Sequence, residues 1–144
     1  MQITNRKAFF NFDILDRFEA GITLYGQEVK AIRLGHADLT GSFVKIIGNE
    51  AFLLNAKIFP YENARSENYE ETRTRKLLLH KSEIISLKSK MDGQNLSIVP
   101  ISLYLKSHLV KIELALGHGK KKFDKKQAIK KRDLQRDLES ELSS

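Results

Sequence analysis

The chain has no cysteine among its 144 residues. Disulfides, thiolate nucleophiles and cysteine-based zinc sites are excluded at once. A reducing, cytoplasmic setting is compatible with that composition. No apolar run approaches the roughly 20 residues needed to span a bilayer, so a membrane is not an expected partner. The first residues also lack the apolar core of a secretory signal. Four histidines, His36, His80, His108 and His118, have no metal-like spacing and read as surface or turn residues. Gly117-His-Gly-Lys is too short and wrongly set for a phosphate loop. Serines are scattered, with no nucleophile elbow. Gln27-Glu28-Val29-Lys30 places an acid near a base. Dipole complementation and helix pairing explain it without chemistry. With no nucleophile, metal site or cofactor signature, the chain does not read as an enzyme, and no cofactor is expected.

What the chain does have is positive charge in one place. It holds 25 basic and 18 acidic residues, a net of +7. Residues 119–132 carry eight Lys or Arg and one acid, Asp124, which leaves 17 of each sign elsewhere. The whole excess sits in that block. Such a block repels itself and orders poorly without a polyanion. Phe123 lies within it. Cations for phosphates beside a flat ring for a base make an RNA-contacting combination, while a solvated basic tail is the plainer reading. The sequence pI near 9.6 points to an anionic partner, nucleic acid before membrane.

Residues 1–8 read as a polar lead-in. Phe10, Phe12 and Ile14 alternate with polar residues, then Asp16-Arg17 predicts a tight reversal. Phe18, Ala20, Ile22 and Leu24 alternate next, so a hairpin is expected, with Glu19 and Thr23 on its outer face. Glu28 early, Lys30 and Arg33 late, and Gly35 as a cap predict a short helix over Gln27–Leu34. Val44 and Ile46, then Phe52, Leu54, Ala56 and Ile58, predict two strands joined at Gly48-Asn49 and stopped by Pro60. Residues 61–74 read as a polar surface loop running into a second basic cluster, Arg73-Thr-Arg75-Lys76. Leu77-Leu78-Leu79 suits strand or helix. Ser82 predicts a helix start, with Ile84, Leu87 and Met91 on one face and Asp92-Gly93 at the end. Leu96 to Leu105 reads as a strand whose alternation slips at Pro100, by a bulge or an edge. After a turn at Ser107-His108, Val110, Ile112, Leu114 and Leu116 face inward while Lys111 and Glu113 face out. Leu134, Leu138 and Leu142 would line one side of a helix formed on a partner.

The expected class is therefore mainly β with short helices. An OB-like antiparallel barrel spans residues 1–118, because closure removes sheet edges. A basic tail, disordered or inducibly helical, spans residues 119–144.

Several segments match one family in order. They are Asn5-Arg6-Lys7-Ala8, Phe18-Glu19-Ala20-Gly21-Ile22, Gly26-Gln27-Glu28-Val29-Lys30 and Glu50-Ala51-Phe52-Leu53. Further on come Thr72-Arg73-Thr74-Arg75-Lys76-Leu77-Leu78-Leu79-His80-Lys81, and Gly119-Lys120-Lys121 leading to Asp124-Lys125. Together they resemble the small protein B family of bacterial transfer-messenger-RNA-binding proteins. The resemblance implies an OB-type barrel, monomeric in the RNA complex, that binds the tRNA-like domain of that RNA. It implies delivery of the RNA to stalled ribosomes for trans-translation, with the tail probing the empty messenger channel at the small-subunit decoding centre. It implies RNA-contacting or supporting roles for Asn5, Glu19, Leu78 and Lys111, to which Lys7, Lys30 and Arg33 are added as phosphate contacts. Asn5 would offer amide donors. Gly119, Lys120, Lys121, Asp124 and Lys125 fall on the ribosome-engaging motif, with Phe123 in the place of a stacking ring. Lys126 stands where the family usually has Arg, keeping charge but not bidentate geometry. Residues 137–144 are acid-rich where many members end basic.

A general single-strand-binding module is the competing reading. It needs exposed aromatics. Phe10, Phe12, Phe18 and Phe52 fall on expected inner faces, and Tyr25 and Tyr104 stay open.

Overall fold

The alternating segment from Phe12 to Ile22 forms one uninterrupted strand in the computed structural model, which describes residues 2–61 and 69–120. The expected hairpin at Asp16-Arg17 is not formed. This strand, β2 (Phe12–Ile22), instead pairs along its length with β9 (Leu109–Gly119). The register slips between Ile14 and Asp16, so Leu15 is the extra residue of a bulge. The break in pattern that suggested a turn is this bulge. Opposite it, Gly117 is obligatory, since a Cβ there would lie 2.5 Å from the Asp13 carbonyl oxygen.

The lead-in also differs from expectation. It forms β1 (Gln2–Thr4) and α1 (Arg6–Asn11). Helix α2 (Gly26–Arg33) follows β2 as expected, and Gly35 leaves it at φ 78°. After the short β3 (Ala37–Asp38), β4 (Phe43–Ile47) and β5 (Glu50–Leu54) form the hairpin around Gly48-Asn49. The facing of β5 is the reverse of that expected. Ala51 and Leu53 are buried, whereas Phe52 and Leu54 are half-buried. Asn55, at φ 64°, resets the phase, so Ala56 and Ile58 still turn inward. Ile58 belongs to β6 (Lys57–Ile58), which pairs with β3. Leu77 and Leu78 resolve as strand, in β7 (Arg75–Leu78). Helix α3 (Lys81–Met91) begins one residue before Ser82. The Glu83 carboxylate accepts from the His80 backbone N–H at 3.0 Å and closes that end.

Strand β8 (Leu96–Lys106) pairs with β9 on one side, with a register shift between Pro100 and Ser102. The bulge expected at the proline is present. On its other side β8 meets β4 at Ile98 and β1 over Ser102–Tyr104. The ring β8-β4-β5-β7-β2-β9 closes through the β8–β9 pairing. It is a six-stranded antiparallel barrel of the OB-like kind expected. Its core is aliphatic, built from residues such as Ile32, Leu53, Leu77, Leu103, Ile112 and Leu114. Among the described residues no aromatic side chain is fully buried. Phe12 and Phe18 only flank the cores. A second small core, Ala8 with Val99, Ile101 and Ala115, lies under α1. Burial on both faces explains why residues 98–103 of β8 are all buried.

Candidate nucleic-acid interface

Three expected RNA-binding residues meet in one groove. Glu19 from β2, Leu78 from β7 and Lys111 from β9 line it, together with Gly21, Asn49, Lys76 and His80. Its volume is about 660 Å³. Leu78 is 56% exposed although it belongs to a barrel strand. Its side chain lies across Gly21, where a Cβ would sit 3.1 Å from the Leu78 Cβ. Glycine at 21 thus lets an apolar side chain lie low on the outer face of the sheet. Lys111 is cross-strand to Gly21 on one side and to Tyr104 on the other.

Glu19 is held in an ionised state by its neighbours. The Tyr104 hydroxyl donates to its Oε2, and Lys106 Nζ lies 3.3 Å from Oε1. The Tyr104 bond, helped by Lys106 and Lys111, keeps the carboxyl below the ordinary range. Burial and the Glu19 bond push the Tyr104 phenol well above its usual value, so it stays protonated and donates. Neither Tyr104 nor Lys106 was singled out as a partner from the sequence. Their i, i+2 spacing on β8 was the available signal, because it puts both on one face.

The remaining expected residues lie elsewhere. Asn5 is 4% exposed. Its side-chain N–H groups donate to the Leu39 carbonyl at 3.2 Å and the Pro100 carbonyl at 2.9 Å. Its amide donors are therefore used inside the protein, not free for RNA as expected. It ties α1 to the barrel, and its place is a supporting one. Asn5 and Lys7 line a separate cavity of about 400 Å³ with Asn11, Ser42 and Phe43. Lys30 and Arg33 are exposed on α2. The Lys30 ammonium lies 5.6 Å from the centre of the Tyr61 ring.

The second basic cluster is split, with Lys76 exposed and Arg75 in the interior. Arg75 is buried, its Nε 2.7 Å from Glu28 Oε2. Arg73 reaches Glu28 Oε1 at 2.6 Å while its guanidinium stacks on Tyr25. Glu28 Oε1 also accepts from the Tyr25 backbone N–H at 2.9 Å. Burial alone would raise the Glu28 carboxyl, but these donors outweigh it and hold it below the ordinary range. Glu28 is thus a structural anion, which caps its own helix at Tyr25 and ties it to Arg73 and Arg75.

Gly119 ends β9, opposite Phe12. The Lys120 backbone N–H donates to the Asn11 carbonyl at 2.8 Å, and its ammonium lies 3.4 Å from the Phe9 carbonyl oxygen. Both residues are thus held against the barrel. Lys121, Phe123, Asp124, Lys125, Lys126 and the leucines 134, 138 and 142 lie outside the described residues. Among the described residues no helix is long and apolar enough to cross a membrane.

A protein-family model described as SmpB protein matches residues 2–144. The chain belongs to the SmpB family. It is similar to an SsrA-binding protein of Persephonella marina, 48% identical over 94% of this chain and 89% of that one. An SsrA-binding protein of Carboxydothermus hydrogenoformans is 47% identical over 96% and 93%. One of Malacoplasma penetrans is 43% identical over 97% and 96%. Among solved structures, one described as "tmRNA-SmpB: a journey to the center of the bacterial ribosome" superposes with a TM-score of 0.71. It is 40% identical and covers 89% of this chain and 94% of that one.

Proposed function

We propose that this protein binds SsrA RNA, the transfer-messenger RNA, and brings it to stalled ribosomes for trans-translation. The carrying observation is the convergence of Glu19, Leu78 and Lys111 on one groove, in a chain of a family whose curated relatives are named SsrA-binding proteins. The groove offers an ionised acceptor, an apolar shelf and a cation within one nucleotide's reach. That set suits folded RNA, where an unpaired base and its phosphate are read together. Leu78 supplies shape, Lys111 charge, and Glu19 accepts from base or ribose donors. Asn5 acts through the fold by fixing α1, and Lys7, Lys30 and Arg33 add phosphate contacts around the body. Residues 2–120 form the RNA-holding unit, and residues 121–144 engage the ribosome's messenger channel. The role is that of a cytoplasmic adaptor, not a catalyst.

The test is direct binding to the tRNA-like part of SsrA RNA as salt is varied. With about five phosphate contacts, log affinity should fall against log salt with a slope of about −3.5 to −4.5. Equal affinity for unrelated duplex DNA would overturn the reading.

A further inference from the structure

Tyr25 is the most exposed of the large apolar and aromatic side chains on the described surface, at 62%. It lies outside the groove. An isolated exposed tyrosine would mean little, but this one is held from two directions. Its backbone caps α2, because the Glu28 carboxylate accepts from the Tyr25 N–H while the Glu28 and Val29 N–H groups donate to the Tyr25 carbonyl. Its ring lies 4.4 Å from the centre of the Arg73 guanidinium. That guanidinium is itself fixed by Glu28, whose carboxylate is buried and also bonded to the buried Arg75. A ring braced on one face by a fixed cation has its conformational entropy already spent. The same helix carries two exposed cations, Lys30 and Arg33. A fixed ring with cations further along the same helix supplies the two parts of a nucleotide site.

We propose that Tyr25 is a preformed stacking platform for one unpaired RNA base, with Arg73 bracing the ring and the cations of α2 attracting the adjoining phosphates. This contact is separate from the Glu19–Leu78–Lys111 groove and rests on the RNA-binding reading above. The base belongs either to the tRNA-like RNA or to ribosomal RNA, since the chemistry is the same in both. A protein partner is disfavoured. The patch pairs its ring with a cation, and Glu28, the acid that holds that cation, is buried and unable to complement a basic peptide.

The chain contains no tryptophan, so Tyr25→Trp would carry the protein's only indole. Its fluorescence is followed while the full-length variant is titrated with tRNA-like RNA and, separately, with vacant small ribosomal subunits. Binding is measured in parallel by retention of labelled RNA or by co-sedimentation. Stacking quenches the indole, with the same midpoint as binding to whichever RNA supplies the base. Tyr25→Ala should weaken that binding by about 5- to 100-fold, and Tyr25→Phe should restore it. Quenching with tRNA-like RNA alone, or with subunits alone, identifies the source. Binding to both without quenching, and with Tyr25→Ala unchanged in affinity, would overturn the platform but leave the RNA-binding role intact. Failure of the wild-type protein to bind either would remove both. Quenching by an unrelated protein or peptide but by neither RNA would assign the patch to a protein partner and overturn the proposal.

Discussion

Arg75 Nε sits 2.7 Å from Glu28 Oε2, and the two side chains are 0% and 1% exposed. The guanidinium spends its other donors on the carbonyls of Ala56, Arg73 and Glu71. One side chain thereby fastens α2, the link between β5 and β6, and the approach to β7. Removing either charge strands the other in the interior. Glu28→Gln and Arg75→Met should each cost about 3–5 kcal/mol in urea unfolding. The double variant should cost clearly less than the sum, because it leaves no fully buried lone charge, Arg73 being partly exposed.

The same carboxylate sets an acid limit. Its folded pKa lies below the unfolded value, so its contribution is complete above about pH 4.3 and is lost as pH falls through the lower folded value. Unfolding free energy measured from about pH 6 downward should drop below that point. In Glu28→Gln the drop should be shallower. An identical pH profile in the two proteins would show that other carboxylates govern acid unfolding.

Two glycines near the end of β9 separate packing from function. Gly117→Ala drives a methyl against the Asp13 carbonyl and should cost about 1–3 kcal/mol. At Gly119 an added methyl meets, among the described residues, only the Phe12 ring, at 3.8 Å. Gly119→Ala should therefore keep its thermal midpoint. Any loss it causes should appear in tagging assays on stalled ribosomes, not in calorimetry.

Tyr104→Phe removes the first of the Glu19 donors. The Glu19 carboxyl should then titrate at higher pH, readable from its side-chain carbon shift by NMR. Affinity for the tRNA-like RNA should fall severalfold as the carboxylate loses its fixed orientation. Leu78→Ala should weaken RNA binding while leaving stability within about 0.5 kcal/mol, since the side chain is mostly exposed. A large stability loss would show that Leu78 serves the fold instead.

A chain ending at Lys120 should keep most of its RNA affinity and lose tagging. The cut belongs there, and not after residue 118, because Lys120 is bonded to Asn11. Retained tagging would show that residues 121–144 are dispensable.

Much of this was legible in the chain. Periodicity located α2, the Gly48-Asn49 hairpin, and the strands meeting at Ser107-His108. The bulge at Pro100 was readable because proline lacks a donor and the alternation slipped there. The bulge at Leu15 was misread because a slip beside Asp16-Arg17 looks locally like a turn, and only the partner strand decides between them. The phase of β5 was missed because Asn55 resets it through a left-handed backbone, which no hydrophobic pattern reports. Glu19, Leu78 and Lys111 were picked out through resemblance, and the adjacency of β7, β2 and β9 in the sheet brings them together. The burial of Arg75 was not legible because its partner, Glu28, is 47 residues away in the chain.

The bond between Lys120 and Asn11 has a geometric corollary. It pins the point of departure of the final 24 residues in the frame of the barrel. A chain of that length reaches about 80 Å when fully drawn out and about 36 Å when coiled as a helix. Those two lengths bound how far from the barrel any contact of residues 121–144 can lie.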